Sequence, residues 1–387
     1  MNVNIRRDVG LLVLSTLFLT GCEYQVAEPQ WYKEHDNPPI PEITAVNPES
    51  ATGGVNTITI SGENFGTPPS ENKVYFDNVS AEVVEGTETS LTVRRPNLVS
   101  DTAMIKLASH DALVVAKYGP YTVTRTHQYY GGFVENLEIS GLAFNANGIM
   151  FVAQSDVIFR YAPPAERAVL DTASRPVTDI AVAPDGQLVL MADYRNIYKM
   201  DPVTGEETEW VSLRPGRHYV RYGNFDQHGN FYFGGEGIDL RYLPAGDDST
   251  AGVETGFYPD GEILDVNVHG DFLYVIATDR DPGRVFRHPV HADGSVGAPE
   301  LILDWSNPPV GYAESVLYTV EVADDGTIYV GTDNTDPVLQ LNPDGSQTIL
   351  YKSILPTEAR ELQWGAGGYL YMLIGGEEWN VVQIDVG

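Results

Sequence analysis

Few side chains in this sequence have the types and spacing of catalytic or metal-binding sites. His288 and His291 are separated by two residues and could ligate a metal, but they fall at a predicted hairpin, where exposed loop histidines are the alternative. The acidic segments 333–336 and 279–281 could hold Ca²⁺ in a loop, or could form turns in which the Asp side chains cap the backbone. The sequence contains no Gly-x-Ser-x-Gly, no His-Glu-x-x-His and no phosphate-binding glycine loop.

Aromatic rings and arginines offer a second kind of chemistry, the binding of sugars or anions. Arg221 and Arg360 could together hold an anion, or could pair with the many carboxylates of the chain. Several rings could stack on a sugar, or could fill the core instead. These rings are Tyr129, Tyr130, Tyr222, Tyr318, Trp305 and Trp364.

Cys22 is the only cysteine of the chain, and it follows a basic start and a short apolar run from Val9 to Leu19. This pattern is typical of an export signal, because the apolar run is too short to span a bilayer as a helix. The residues Leu19-Thr-Gly-Cys22 resemble the bacterial lipobox, which implies a signal peptide over residues 1–21 and lipidation of Cys22. Glu23 at the next position favours the outer membrane, by resemblance to Gram-negative sorting. Residues 22–38 lack periodicity and are predicted to form a tether. Lipidation would leave no free thiol for catalysis or metal binding.

The composition limits the class of protein and of partner. A formal net charge of −31 repels nucleic acid, so we exclude nucleic-acid partners. The 22 Tyr, 38 Gly and 25 Pro, with no long 3.6-residue periodicity after the signal, predict an all-β protein.

Residues 125–387 contain an internal repeat. Gly-centred turns between apolar runs recur about every 40 residues, which predicts a β-propeller with one four-stranded blade per repeat. The turns are centred on Gly148, Gly186, Gly229, Gly270, Gly326 and Gly367-Gly368, so six blades are predicted. The last repeat ends after its third strand, and we expect the segment 121–133 to supply the fourth strand and close the ring.

Residues 39–124 form a separate unit of short predicted strands. The segment carries the pattern P-x-I-x-x-V-x-P, then G-G, then I-T-I-x-G-x-N-F-G. The matching residues are Pro41, Ile43, Val46, Pro48, Gly53, Gly54, Ile58, Thr59, Ile60, Gly62, Asn64, Phe65 and Gly66. The pattern resembles the IPT/TIG immunoglobulin-like family, which implies a sandwich that serves as a spacer or an interaction module.

The propeller repeats resemble the NHL and the senescence-marker-protein/gluconolactonase families, most clearly at Ser140–Gly148 and Val285–Gly294. In the lactonases, oxygen ligands of a divalent cation begin inner strands, eight residues before the turn glycine. The same position here holds Ser140, Thr178, Arg221, Tyr318 and Arg360. The fourth repeat has a turn one residue shorter, so its corresponding residue is Ile263, seven residues before Gly270. None of these is acidic, which argues against a metal site. A one-residue error in the alignment would instead bring in Asp179 and Glu361, with Glu321 and Asp265 nearby.

The sequence therefore predicts a surface-anchored lipoprotein with an immunoglobulin-like sandwich and a six-bladed propeller. We expect a non-catalytic module, without a cofactor, that binds a glycan, a peptide or a surface protein through the propeller face. The alternative is a Ca²⁺-dependent lactonase or lyase. Ser140, Thr178, Arg221, Tyr318 and Arg360 are the expected binding residues at the channel mouth.

Overall fold

A computed structural model describes residues 39–109, 112–133, 137–192, 195–213, 218–247, 251–278, 283–376 and 378–387. Cys22, the signal peptide, the tether and the segment 279–281 lie outside the described residues. The structure confirms an all-β protein, a sandwich followed by a six-bladed propeller. Within these ranges the helical pieces are two 3₁₀ turns, Pro69–Glu71 and Ala366–Gly368, and no helix is long and apolar enough to cross a membrane.

The sandwich has two sheets built from nine strands. They are β1 (Glu42–Asn47), β2 (Ser50–Ala51), β3 (Thr57–Glu63), β4 (Asn72–Phe76), β5 (Val79–Ala81), β6 (Val83–Gly86), β7 (Ser90–Arg94), β8 (Ser100–Ser109) and β9 (Ala116–Val123). One sheet has the order β1-β3-β7-β6 and the other β2-β9-β8-β4-β5. Alternation along β3 turns Ile58 and Ile60 inward, where they pack with Val74 and Phe76 of the facing sheet.

The propeller has six antiparallel four-stranded blades. Blade 1 is β11 (Gly141–Phe144), β12 (Met150–Gln154), β13 (Val157–Tyr161) and β14 (Ala168–Thr172). Blade 2 is β15 (Val177–Val182), β16 (Leu188–Ala192), β17 (Asn196–Met200) and β18 (Glu207–Ser212). Blade 3 is β19 (Tyr219–Phe225), β20 (Phe231–Glu236), β21 (Ile238–Leu243) and β22 (Val253–Glu254). Blade 4 is β23 (Glu262–His269), β24 (Phe272–Thr278), β25 (Arg284–Pro289) and β26 (Glu300–Asp304). Blade 5 is β27 (Leu317–Val322), β28 (Ile328–Thr332), β29 (Val338–Leu341) and β30 (Gln347–Ile349). Blade 6 is β31 (Ala359–Trp364), β32 (Leu370–Ile374), β33 (Asn380–Ile384) and β10 (His127–Tyr130).

Position within a blade determines burial. The second strand lies between two neighbouring blades, so every residue of β16 is buried, as the run Leu-Val-Leu-Met-Ala requires. The fourth strand forms the outer rim, and β14 is largely exposed. The first strands of successive blades contact one another around the central channel. Residues on these first strands are therefore the ones that can form a common site.

Strand β10 closes the ring. It pairs antiparallel with β33, and His127 lies opposite Ile384. It lies within the predicted closing segment but is shorter, because Tyr121–Val123 belong to β9 of the sandwich. Tyr121 is buried there and its hydroxyl donates a hydrogen bond to the Pro48 carbonyl, 3.0 Å away.

The two units share a hydrogen-bonded interface. The Gly54 N–H donates to the Tyr351 hydroxyl (2.6 Å), and that hydroxyl donates to the carbonyl of Asp385. Asn56 accepts a hydrogen bond from the Tyr351 N–H (2.9 Å) and donates to Gln340 (3.2 Å). A Cβ at Gly53 would overlap the Asp385 carboxylate, so the Gly53-Gly54 pair of the family pattern allows the C-terminal segment to approach closely.

Candidate functional site

A β-bulge begins the first strand of every blade. In blades 2 to 6 the register shifts at one residue, namely Thr178, Arg221, Leu264, Tyr318 or Arg360. In blade 1 the Ser140 N–H bonds to Ala153, which also lies opposite Gly141. At a bulge two successive residues oppose a single partner, so side chains no longer alternate strictly between faces. Both the bulge residue and the next one can therefore face the channel.

The channel contains a cavity of about 490 Å³ that the two sets of residues line together. We call the bulge residues the mouth ring, which consists of Ser140, Thr178, Arg221, Leu264, Tyr318 and Arg360. We call the residues that follow them the inner ring, which consists of Asp179, Tyr222, Asp265, Thr319 and Glu361. Residues from both alternatives of the sequence alignment thus line the same cavity, whereas a strict two-residue strand period would have allowed only one set.

The fourth blade departs from the sequence-based assignment. Ile263 was expected at the mouth, but it is fully buried among Tyr232, Leu240 and Val275 between blades. Leu264 takes the bulge position instead. The reason is a tighter hairpin after β23, in which His269 pairs directly with Phe272.

Acidic partners neutralise the two arginines of the mouth ring. Arg221 pairs with Glu236 at 2.8 Å and with Glu262 at 3.2 Å. Arg360 pairs with Glu358 at 2.8 Å. Its guanidinium also lies over the Tyr318 ring, 4.1 Å from the centroid, and 5.8 Å from the centroid of Trp379. Of the two roles considered for these arginines, the structure favours pairing with carboxylates over clamping an anion.

The inner-ring carboxylates connect neighbouring blades. Asp179 accepts the Gly223 N–H of blade 3 (3.2 Å), and Asp265 accepts the Val320 N–H of blade 5 (2.7 Å). Glu361 accepts the Leu142 N–H of blade 1 (3.1 Å). The three carboxylates therefore come from blades 2, 4 and 6 and each bridges to the next blade. In blade 5 the Thr319 hydroxyl has the same role and accepts the Leu362 N–H of blade 6 at 3.2 Å.

Burial raises the pKa of each of these acids. The pKa of Asp265 rises to about 6. The pKa of Asp179 is well above its ordinary value because of burial first and the charge of Asp265 second, and that of Glu361 because of burial and the charge of Asp179. A protonated carboxyl donates one hydrogen bond and still accepts others. The inner ring can therefore offer donors and acceptors to a neutral, hydroxyl-rich ligand.

Glu321, the fourth acid of the metal alternative, lies outside this cavity lining. It is 4% exposed and its oxygen accepts the Val322 N–H at 2.9 Å. Burial raises its pKa to about 8. Within the described residues no group of three His, Cys, Asp or Glu side chains has a geometry that could hold a metal ion.

The remaining predicted positions have structural partners. The Ser140 hydroxyl donates to the Val177 carbonyl (2.5 Å) and the Thr178 hydroxyl to that of Met191 (3.0 Å). Asp333 accepts the Val316 N–H and Asp336 the Ser353 N–H, so both cap the backbone as turn residues do. His291 is exposed.

The structure contradicts the expectation that His288 is an exposed loop histidine. It is fully buried, and its ring lies 2.7 Å from the Tyr258 hydroxyl and 2.9 Å from the Gly297 carbonyl. The reason is that β25 continues to Pro289, so His288 lies within the strand and not in the turn that follows it.

Sequence reasoning missed Trp379, which lines the cavity from the connection between β32 and β33. This connection has no counterpart at a fixed spacing in the other repeats, so no periodic signal could identify it. Among the rings considered for sugar binding, Tyr222 and Tyr318 reach the cavity. Trp305 and Trp364 pack in blade cores and donate to the carbonyls of Ser315 and Val322.

Comparison with known families identifies the sandwich, because residues 41–124 match the IPT/TIG domain model. This segment is an IPT/TIG domain. No sequence among the curated proteins matches the chain.

Solved structures share the architecture at low sequence identity. An auxiliary nutrient binding protein from Bacteroides thetaiotaomicron is similar with a TM-score of 0.53 and 13% identity, over 90% of this chain and 98% of that chain. A second, from Bacteroides ovatus, has a TM-score of 0.52 and 13% identity, over 89% and 97%. A gluconolactonase from Xanthomonas campestris has a TM-score of 0.51 and 15% identity, over 65% and 88%. The first two thus cover the IPT/TIG domain together with the propeller. At these identities the similarity concerns the fold.

Proposed function

We propose that this protein is a non-catalytic binding protein that holds a neutral, hydroxyl-rich ligand of mono- to disaccharide size in the mouth of the propeller channel. The observation that carries the proposal is the cavity of about 490 Å³, which is lined by aromatic rings and in which the two arginines and the three inner-ring carboxylates already have partners within the protein.

The chemistry of the lining fits such a ligand. Trp379 and Tyr318 line the cavity, and the ring surface of Tyr318 that Arg360 does not cover can contact the apolar side of a sugar ring together with Trp379. Gln363 adds an amide that can both donate and accept, and the Asn224 side chain, whose oxygen accepts the N–H of the following residue, adds a donor. A pocket with rings and a few convergent polar groups is the usual form of a small-molecule site. The nutrient binding named for two proteins of this fold is compatible with the proposal.

Calorimetry with a panel of neutral mono- and disaccharides tests the proposal. We expect at least one sugar to bind, and we expect Trp379→Ala to weaken its binding by about tenfold, or 1.4 kcal/mol, through loss of ring contact. Tyr75→Ala is the matched control, because its ring is 37% exposed on β4 of the sandwich and lies outside both cavities. A sugar that binds Trp379→Ala as tightly as the unmodified protein would place the ligand elsewhere.

A metal-dependent lactonase or lyase is the second candidate, and one observation favours it. Asp179, Asp265 and Glu361 line the same cavity. Against it, Asp179 and Asp265 each accept backbone N–H groups from two blades, and Glu361 accepts one from blade 1. Burial also favours the protonated forms of these acids, which bind metals poorly. We expect calorimetry with Ca²⁺, Mg²⁺ and Zn²⁺ to show no stoichiometric binding, and a lactone panel to show no hydrolysis. One metal per chain, lost in Asp179→Ala or Glu361→Ala, would favour the enzyme.

We also propose that a lipid on Cys22 anchors the protein to the outer membrane, on the strength of the lipobox-like residues 19–22. Cys22→Ser should abolish acyl labelling and release the protein from the membrane fraction. A variant that still fractionates with membranes would rule out this anchor.

A further inference from the structure

A second cavity lies between the IPT/TIG domain and the propeller. This interdomain crevice has a volume of about 540 Å³ and is lined by residues 96–99, residues 124–129 and Ile354. The first segment follows β7 of the sandwich, the second runs from the end of β9 into the closing strand β10, and Ile354 precedes β31 of blade 6. Both domains must therefore be in place for the crevice to exist.

The interface holds the walls of the crevice in position. Arg95 precedes the first lining segment and donates to the Thr124 carbonyl of the second at 2.6 Å. Tyr351, three residues before Ile354, bonds to Gly54 and Asn56 of the IPT/TIG domain. A crevice whose walls are already joined requires little ordering when a ligand enters.

The charge of the crevice is opposite to that of the protein. The chain has 54 acidic residues, but no Asp or Glu lines this cavity. Arg125 lines it and makes no ion pair or hydrogen bond within the part of the chain that the structure describes. By contrast, the channel cavity is lined by four carboxylates and its arginines are paired. An unpaired guanidinium in a carboxylate-free cavity is suited to an anionic group.

The rest of the lining fits a ring-shaped ligand. Tyr129 and Val99 are 57% and 60% exposed and present an aromatic and an aliphatic surface. Asn97 and Gln128 are exposed amides. Burial lowers the pKa of His127 and the charge of Arg125 lowers it further, which favours the neutral imidazole. Arg125 is therefore the charged group that distinguishes an acidic ligand from a neutral one.

We propose that the interdomain crevice is a second binding site, specific for an acidic sugar whose carboxylate is held by Arg125 and whose ring packs against Tyr129. The site is separate from the channel mouth and does not depend on the function proposed there.

Calorimetry with glucuronate, and with glucose as the neutral control, tests this site. The measurement belongs at about 0.15 M salt, where a Debye length near 8 Å screens the distant acidic surface but not a direct contact. We expect glucuronate to bind and glucose not to bind at this site. Arg125→Ala should weaken glucuronate binding by at least about tenfold, and Tyr129→Ala by several-fold. Arg125→Lys should be intermediate, because an ammonium lacks the planar fork.

Two control variants distinguish glucuronate binding in the crevice from binding elsewhere on the protein. Arg160→Ala removes an arginine on β13 of blade 1, outside both cavities, and should leave glucuronate binding unchanged. Trp379→Ala alters the channel and should also leave it unchanged. Failure of glucuronate to bind the unmodified protein, equal binding in Arg125→Ala, or loss of binding in Trp379→Ala would each overturn the proposal.

Discussion

Single residues in the channel show how a β-bulge changes which side chains of a strand face the cavity. Thr178 and Asp179 are consecutive, yet both line the cavity. A regular strand would turn one of them away. The result is a mouth ring whose arginines are paired with carboxylates, followed by an inner ring of buried acids. The raised pKa values of these acids therefore dominate the electrostatics of the channel.

Glu321 should make stability depend on pH. Its pKa rises from an ordinary value of 4.5 to about 8 on folding. The folded state thus binds the Glu321 proton more tightly than the unfolded state does. The contribution of this proton to the free energy of unfolding is complete below about pH 4.5 and is lost as the pH rises through about 8. We expect Glu321→Gln, which cannot ionise, to raise the free energy of unfolding at pH 9 by an amount on the order of a few kcal/mol and to change it little at pH 4.

Urea denaturation at pH 4, 7 and 9 measures this effect. Glu206→Gln is the control, since that side chain is exposed, and its stability should follow the unmodified protein at every pH. An equal loss of stability in Glu321→Gln at all three pH values would mean that packing and not ionisation dominates at this position.

The sequence predicted part of this site for a definite physical reason. The turn glycines adopt positive φ, for example 74° at Gly148 and 88° at Gly186, so the turn signal is local and fixes the strand register that follows. The bulges are not local, because they depend on pairing with the second strand. The choice between Thr178 and Asp179, or between Arg360 and Glu361, could therefore not be made from the sequence.

At the scale of elements, the closing strand β10 is a short edge strand that joins the two ends of the ring. It has four residues, pairs with β33 and forms the outer edge of blade 6. Because the last repeat ends after its third strand, the sequence predicted that an earlier segment supplies the fourth strand of that blade. Its short length was not predictable, because the preceding residues alternate as a strand too but belong to β9.

Tyr130 should contribute most of the side-chain stabilisation of this strand. Its ring lies 4.9 Å from that of Tyr371 in blade 6 and 5.0 Å from that of Tyr161 in blade 1, both edge to face. We expect Tyr130→Ala to lower the free energy of unfolding by about 3 kcal/mol, measured by urea denaturation. Tyr129→Ala on the same strand removes an exposed ring and should change it by less than about 0.5 kcal/mol. Similar losses in both variants would show that backbone pairing, not this aromatic contact, holds the strand.

At the scale of the whole molecule, the IPT/TIG domain is more than a spacer. Gly53 and Gly54 belong to the pattern that identifies the sandwich. In the structure they contact the C-terminal residues of the propeller. Contacts between segments about 300 residues apart leave no periodic or local signal, so this interface could be found only in the structure.

Cooperative unfolding tests the strength of this interface. We expect the unmodified protein to unfold in one calorimetric transition. The double variant Asn56→Ala with Tyr351→Phe removes the hydrogen bonds to Gly54, Asp385 and Gln340, at a cost of about 1–3 kcal/mol for each group left unpaired. Two separate transitions should result. Glu82→Gln is the control, because Glu82 is exposed and lies 3.9 Å from Lys352, and it should leave one transition. A single transition in the double variant would contradict this coupling.

The same contacts decide how the molecule responds to tension. A pull on the sandwich that passed only through residues 124–126 would act at His127, the end of β10 opposite Ile384, and would peel the strand from β33 one pair at a time. The bonds from Asn56 and Gly54 to Tyr351 offer a parallel route that delivers the force to the loop between β30 and β31 instead. The interface thus carries part of the pulling force. The ring should stay closed under tension until the hydrogen bonds of Tyr351 to Gly54 and Asn56 break.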